Sequence, residues 1–166
     1  MHVRRSGMRN QVIMKDSYRY RNVVSLDDYR ARHAGRKKPQ ILVVDDQATV
    51  QIILRELLEN AGYGVTIAAS GEQAVDFITR EKFHLVLLDI LMPGMNGFEV
   101  LEFIRNRYAA KDLPVIMATI KRESSDIRQA LAAGASDYIL KPFDFTKLLE
   151  RVRFHLALER DRDRSG

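Results

Sequence analysis

From residue 40 onward, the chain alternates between short, mostly apolar runs and longer amphipathic stretches. The apolar runs have the length of buried β-strands and cover residues 41–44, 65–68, 85–88, 115–118 and 138–140. The stretches that follow them carry apolar residues at three-and-four spacing, as amphipathic helices do. Five strands alternating with five helices predict an α/β fold, in which helices cover both faces of a doubly wound, five-stranded parallel sheet.

Individual residues refine the predicted helix boundaries. Ser70, with Gln73 three residues later, forms a capping-box pattern and predicts that a helix begins there. Gly134 follows an apolar-periodic stretch and predicts where that helix ends. The last helix is predicted to begin near Asp144 and to run to about Leu158.

Polar side chains follow four of the five predicted strands. In parallel sheets of this kind, ligands bind beyond the carboxyl ends of the strands, and these ends carry Asp45 and Asp46, Asp89, Thr119 and Lys141. Asp89 is the most informative, because a carboxylate directly after a buried apolar strand is costly unless a cation or a reaction needs it. We therefore expect these side chains to form one site.

The residue types at this site favour phosphoryl transfer assisted by a metal ion. Three nearby carboxylates would raise one another's pKa unless a cation intervened, and oxygen ligands suit Mg²⁺. A carboxylate can act as a nucleophile and form an acyl phosphate, which a metal ion, an ammonium and a hydroxyl stabilise. The simpler alternatives are an N-cap for Asp45 and Asp46 and a turn residue for Asp89.

Four segments at these strand ends are similar to motifs of one protein family. The segments are Val-Val-Asp45-Asp46, Leu-Leu-Asp89-Ile-Leu-Met-Pro-Gly-Met-Asn-Gly, Met-Ala-Thr119 and Asp-Tyr138-Ile-Leu-Lys141-Pro142-Phe. Together they resemble the receiver domain of bacterial two-component response regulators, of the CheY-like type. The resemblance covers residues 40–158. It implies a flavodoxin-like sheet with strand order 2-1-3-4-5, and a signalling domain rather than an enzyme with a small-molecule substrate.

The resemblance also implies a role for each acidic position. Asp89 would accept a phosphoryl group from the phosphohistidine of a sensor histidine kinase. Asp46 would bind Mg²⁺ directly, with Asp45 beside it acting through water. Asp89 and the backbone carbonyl of Leu91 would complete the protein's metal ligands.

The remaining matched residues would serve the phosphorylated state. Thr119 would donate a hydrogen bond to the phosphoryl group, and Lys141 would pair with it. Tyr138 resembles the aromatic residue that turns inward as Thr119 moves. The Lys141–Pro142 peptide is typically cis in the family.

Two positions depart from the family pattern beside the phosphoacceptor. Ile120 follows the threonine where the family usually has a small residue, and Leu91 is apolar two residues after Asp89. Lys121 is a further departure. We hypothesise that the bulky apolar side chains hinder an attacking water, so that the phosphorylated form decays slowly.

The basic character of the chain belongs to its leading segment. The net charge of +5 is divided into +8 over residues 1–40 (11 basic, 3 acidic) and −3 over residues 41–166 (16 basic, 19 acidic). We therefore predict a flexible basic extension over 1–39, a receiver domain over 40–158 and a charged tail over 159–166. Because only the tail follows the receiver, we expect a stand-alone receiver.

Three interpretations of the extension remain open. It is a solvated arm that includes alternative start codons at Met8 and Met14, a short docking helix over residues 23–33, or a nucleic-acid contact made by arginines interleaved with tyrosines. The last would make the protein a nucleic-acid-binding regulator under receiver control, which is the alternative function.

The other expected partners are signalling proteins. They are a sensor histidine kinase and a histidine phosphotransfer protein or downstream regulator, which would read the surface formed by the fourth helix, fifth strand and fifth helix. No apolar run is long enough to span a bilayer, no secretory signal opens the chain, and there is no cysteine. These features predict a cytoplasmic protein.

Overall fold

A computed structural model describes Gly35 and residues 37–120 and 124–163, with residues 124 and 158–163 described by their backbone alone. Residues 35–166 group into one compact unit. The predicted basic extension, apart from its last few residues, and Lys121 lie outside the described residues. In the part of the chain that the structure describes, no helix is long and apolar enough to cross a membrane.

The described strands form a single parallel sheet in the order β2-β1-β3-β4-β5, which confirms the predicted fold and strand order. Each strand lies within one residue of its predicted bounds, and the strands are β1 (Gln40–Val44), β2 (Gly64–Ala68), β3 (Leu85–Asp89), β4 (Val115–Thr119) and β5 (Asp137–Leu140).

Five helices connect or follow these strands within the described residues, as predicted. They are α1 (Ala48–Asn60), α2 (Gly71–Arg80), α3 (Gly97–Arg105), α4 (Ser124–Ala132) and α5 (Phe145–Asp163). α5 continues past the predicted end near Leu158, into the segment predicted as a charged tail. The physical reason is that glutamate and arginine have favourable helix propensity, and residues 159–163 contain neither glycine nor proline to end the helix.

The core is divided between the two faces of the sheet. Successive strand residues point to opposite faces, so that Leu42 and Leu88 belong to one apolar cluster and Ile41 and Leu87 to the other. The first cluster includes side chains of α2, α3 and α4, and the second includes side chains of α1 and α5. β3 and β4 are buried along their whole length between these layers. Their carboxyl ends are therefore fixed by packing on both sides.

The predicted helix ends are found with one change. The Ser70 hydroxyl accepts a hydrogen bond from the Gln73 N–H at 3.1 Å, as a capping box requires. The Gln73 side chain, however, accepts from the N–H of Ala69 at 2.7 Å, and not from the N-cap residue itself. Gly134 follows α4 with a positive φ of 101°, which confirms it as the residue that ends the helix.

Candidate functional site

Asp89 is the last residue of β3, and it is 6% exposed. The four residues before it in β3 are apolar and buried. Because β3 lies between β1 and β4, the strand carries the carboxylate to the middle of the carboxyl edge of the sheet. α3 begins close behind it, because a Cβ at Gly97 would lie 2.3 Å from the Asp89 carbonyl oxygen. Only glycine permits this approach of the two backbones.

Lys141 lies between two carboxylates that are distant in sequence. Its Nζ donates to Oδ2 of Asp45 at 2.6 Å and lies 3.3 Å from Oδ2 of Asp89. The lysine side chain is 12% exposed, and those of the two aspartates are 2% and 7% exposed. The ammonium therefore offsets the negative charge of both carboxylates in a site that excludes most water.

The surroundings of Asp89 favour the neutral form of its carboxyl group more than water does. Burial raises the pKa of Asp89 above its ordinary value, the Lys141 ammonium opposes this rise, and the Asp45 carboxylate adds to it. A further cation close to Asp89 would favour the ionised carboxylate. A bound metal ion would therefore stabilise the ionised form of Asp89.

The acidic residues fit such an ion. Asp45, Asp46 and Asp89 each present one carboxylate oxygen within 4.8 Å of the others. Oxygens around Mg²⁺ lie about 3–4 Å apart when the metal–oxygen bonds are 2.0–2.1 Å, so small side-chain rotations would bring these oxygens to one ion. Asp46 is exposed whereas Asp45 is buried. Asp46 is thus open to an ion that keeps part of its hydration shell.

Asp45 and Asp46 are not N-cap residues of α1. The N-cap is Gln47, whose side chain makes no capping hydrogen bond. One Asp45 oxygen accepts from the Gln47 N–H at 2.9 Å, while the other accepts from Lys141. The alternative of a simple cap is therefore wrong for these residues, because both oxygens of Asp45 are directed to other groups.

Thr119 and Tyr138 lie on the two strands that the sequence predicted for them, Thr119 as the last residue of β4 and Tyr138 as the second residue of β5. Thr119 ends β4 and is 3% exposed, and its carbonyl accepts from the Lys141 N–H at 2.8 Å. Tyr138 is half-buried in β5, and the Arg151 guanidinium lies 5.7 Å from its ring centroid. The Lys141–Pro142 peptide is cis. The switch roles of Thr119 and Tyr138 stay predictions.

The loop after β3 carries Leu91. Its N–H lies 3.3 Å from an Asp89 carboxylate oxygen, and the residue is 51% exposed. Ile120 follows β4 and is 62% exposed. Leu91 thus lies two residues after Asp89 and Ile120 lies directly after Thr119, and both residues are exposed. Their effect on hydrolysis stays a prediction.

Sequence reasoning missed an ionic cluster between β5 and α5. Asp137 accepts from Arg151, and His155 Nε2 lies 3.2 Å from its other carboxylate oxygen. Burial alone would raise the pKa of Asp137, but hydrogen bonds from His155, Arg151 and the Tyr138 N–H lower it to about 2. The four-residue spacing of Arg151 and His155 on one helix was the available signal, but it does not identify their partner.

Sequence reasoning also missed Arg105, at the end of α3. Its guanidinium donates to the carbonyls of Gly134 at 2.7 Å and Leu113 at 3.0 Å, and burial lowers its pKa. It joins the loops at the amino ends of β4 and β5, away from Asp89. No local pattern marks it, because a helix commonly carries a basic residue in its last turn.

Comparisons with known proteins agree with this geometry. The family model described as "Response regulator receiver domain" matches residues 41–153. A protein of Porphyridium aerugineum named "Probable transcriptional regulator ycf27" is 41% identical over 117 residues, which cover 70% of this chain. The match spans 48% of that protein, so this chain corresponds to about half of its relative.

Solved structures show the same fold. A CheY-like receiver domain protein from Methanospirillum hungatei is 33% identical with a TM-score of 0.69, and the match covers 76% of this chain and 99% of that one. A protein from Chloroflexus aurantiacus described as a response regulator is 37% identical with a TM-score of 0.68, and covers 73% and 99% of the two chains.

Proposed function

The chain belongs to the response regulator receiver domain family, and we propose that Asp89 accepts a phosphoryl group from the phosphohistidine of a sensor histidine kinase. The observation that carries the proposal is the convergence of Asp89 with Asp45, Asp46 and Lys141 at one edge of the sheet. A turn residue or a structural ion pair would not need the third, exposed carboxylate of Asp46.

The transfer requires an ionised Asp89. A carboxylate oxygen of Asp89 attacks the phosphorus, an O–P bond forms, and the N–P bond of the phosphohistidine breaks. The imidazole leaves with the electron pair and takes its proton from solvent. The product is an acyl phosphate on Asp89, whose added negative charge the Lys141 ammonium is placed to stabilise.

We assign Asp45, Asp46, Asp89 and the Leu91 backbone carbonyl to a Mg²⁺ site. The ion would supply positive charge to the phosphoryl oxygens. Asp46 would hold it directly, whereas Asp45, whose oxygens bond to Gln47 and Lys141, would act through water. Thr119 would donate to a phosphoryl oxygen from the end of β4.

The output would run through the surface of α4, β5 and α5. The Arg151 guanidinium of α5 lies 5.7 Å from the Tyr138 ring centroid, so a movement of the Tyr138 side chain would change the surroundings of this helix residue. The partners would be a phosphotransfer protein or a downstream regulator. The divisions at residues 39 and 158 and the cytoplasmic location stay predictions of the sequence.

Phosphotransfer from a panel of purified histidine kinases tests this function. We expect wild-type protein to be labelled by at least one kinase when Mg²⁺ is present, and Asp89→Asn to stay unlabelled. Asp112→Asn, an exposed aspartate before β4, is the matched control and should label as wild type. Equal labelling of Asp89→Asn and wild type would contradict the proposal.

A second candidate function is nucleic-acid binding through residues 1–39 under receiver control. Two observations favour it: the balance of +8 over residues 1–40, and the name of the relative, which is that of a transcriptional regulator. Deletion of residues 1–37 and measurement of nucleic-acid affinity against salt concentration test it. A steep salt dependence that the deletion abolishes would support this function, and equal affinity of both forms would contradict it.

A further inference from the structure

The loop between β3 and α3 covers residues 90–96. One hydrogen bond holds it at its base, between Ile90 and Gly97, and another joins it to a different helix. At the base, the Gly97 N–H donates to the Ile90 carbonyl at 2.9 Å. Two residues before Gly97, the Met95 N–H donates to Oε1 of Glu72 at 3.1 Å. Glu72 lies in the first turn of α2, 23 residues earlier in the chain. The loop conformation thus depends on a side chain from another helix.

Gly71 and Glu72, at the start of α2, are in close contact with residues 94 and 95 of the loop. A Cβ at Gly71 would lie 2.6 Å from the Met95 carbonyl oxygen, so the start of the helix packs directly on the loop backbone. A Cβ at Gly94 would lie 3.0 Å from Oε1 of Glu72, and Gly94 has a positive φ of 70°. The carboxylate therefore packs against the turn that glycine makes possible.

Glu72 is ionised when it makes this contact near neutral pH. The N–H groups of Glu72 itself and of Met95 hold the pKa of Glu72 below its ordinary value. The next N–H along the loop, that of Asn96, donates to Glu99 at 2.8 Å as part of a capping box. Consecutive loop N–H groups are thus bound by two carboxylates, one from α2 and one from α3.

We propose that Glu72 is a positioning residue for the metal site: by accepting the Met95 N–H, it fixes the loop that carries Leu91. The inference rests on the proposed function, because it takes the Leu91 carbonyl as a ligand of Mg²⁺. A loop held only at its base would sample more conformations. Binding of the ion would then have to order the loop, and its affinity would fall.

Three variants of the full chain separate this role from a general effect of charge. Glu72→Ala removes the acceptor, and Glu72→Gln keeps an oxygen that can accept the Met95 N–H. Asp76→Ala is the matched control, since Asp76 lies one turn further along α2 and pairs with Arg80 in solvent. The Mg²⁺ dissociation constant is measured by calorimetry, and exchange of the Met95 amide by NMR before Mg²⁺ is added.

We expect Glu72→Ala to bind Mg²⁺ roughly two- to five-fold more weakly, because the lost hydrogen bond is at the surface. Its Met95 amide should exchange several-fold faster, while Glu72→Gln and Asp76→Ala stay close to wild type in both measurements. Wild-type affinity in Glu72→Ala would overturn the inference. So would equal losses in Glu72→Ala and Glu72→Gln, or in Glu72→Ala and Asp76→Ala, since charge alone would explain them.

A further variant distinguishes failure of the inference from failure of the proposed function. Asp46→Asn removes a proposed metal ligand, and it should abolish Mg²⁺ binding whatever Glu72 does. If Asp46→Asn binds Mg²⁺ as tightly as wild type, the metal site itself is wrong and both proposals fall. If Asp46→Asn loses binding and Glu72→Ala does not, only the role of Glu72 is wrong.

Discussion

Lys141 is closer to Asp45 than to Asp89, with its Nζ 2.6 Å from one carboxylate and 3.3 Å from the other. Asp45 therefore holds the ammonium in place, and the longer distance leaves Lys141 able to turn toward a group attached to Asp89. The difference between the two carboxylates comes from geometry, since both residues are aspartates near the same cation.

Removal of this cation should destabilise the fold. In Lys141→Met, two buried carboxylates lose their counter-charge, and we expect a loss of about 2–4 kcal/mol in the free energy of unfolding by urea. The pKa of Asp89 should rise further. Lys147→Met is the control, because its ion pair with Asp144 is exposed, and it should change stability little. Similar losses in both variants would contradict a special role for Lys141.

Asp89→Asn should stabilise the protein when no divalent ion is added. Burial raises the pKa of Asp89, so its ionised form is costly at pH 7, and an uncharged amide removes this cost. We therefore expect a higher midpoint temperature of thermal unfolding for the variant. Added Mg²⁺ should then stabilise wild type but not the variant. A variant less stable than wild type without Mg²⁺ would show that the carboxylate is needed for folding.

The cluster of Asp137, Arg151 and His155 should make stability depend on acidic pH. Because the pKa of Asp137 falls from 3.8 to about 2 in the folded protein, its contribution is complete above pH 4 and is lost as the pH falls toward 2. We expect Asp137→Asn to cost about 1–2 kcal/mol at pH 7 and progressively less below pH 4. A cost that stays constant over this range would contradict the assignment.

Gly97→Ala should disturb the backbone of Asp89, the proposed phosphoacceptor. Its Cβ would lie 2.3 Å from the Asp89 carbonyl oxygen and 2.8 Å from the Ile90 Cα, and backbone atoms cannot move aside at low cost. We expect a loss of about 2–3 kcal/mol in stability by urea unfolding. Gly64→Ala is the control, since the atoms nearest to its Cβ belong to the flexible Gln40 side chain. Equal losses of stability in the two variants would mean that α3 can move away from the end of β3 at little cost in free energy.

Ile120→Ala should shorten the lifetime of the phosphorylated form. The large side chain follows Thr119 directly, and its removal opens a path for water to the acyl phosphate. Decay of labelled protein after removal of the kinase measures the rate, which we expect to rise several-fold. Leu131→Ala, which truncates another exposed apolar side chain, on α4, should decay as wild type. An unchanged rate in Ile120→Ala would reject the shielding hypothesis.

Much of the fold could be predicted because its signals are local. Each strand is a short apolar run, and each helix has a three-and-four pattern, so that the spacing of neighbouring residues was sufficient. The same locality identified Asp89 at a strand end and Gly134 at a helix end. The end of α5 was missed, because a charged segment without apolar periodicity is compatible with either helix or tail.

The amino-acid sequence alone indicates which residues the sheet carries to one edge, because parallel strands present their carboxyl ends together. Which side chains touch one another depends on the tertiary structure. That Lys141 pairs with Asp45, 96 residues away, that Glu72 holds Met95, and that Arg151 and His155 meet Asp137 depend on strand register and helix packing. Local spacing places a side chain on a face, whereas its partner is set by contacts across the whole fold.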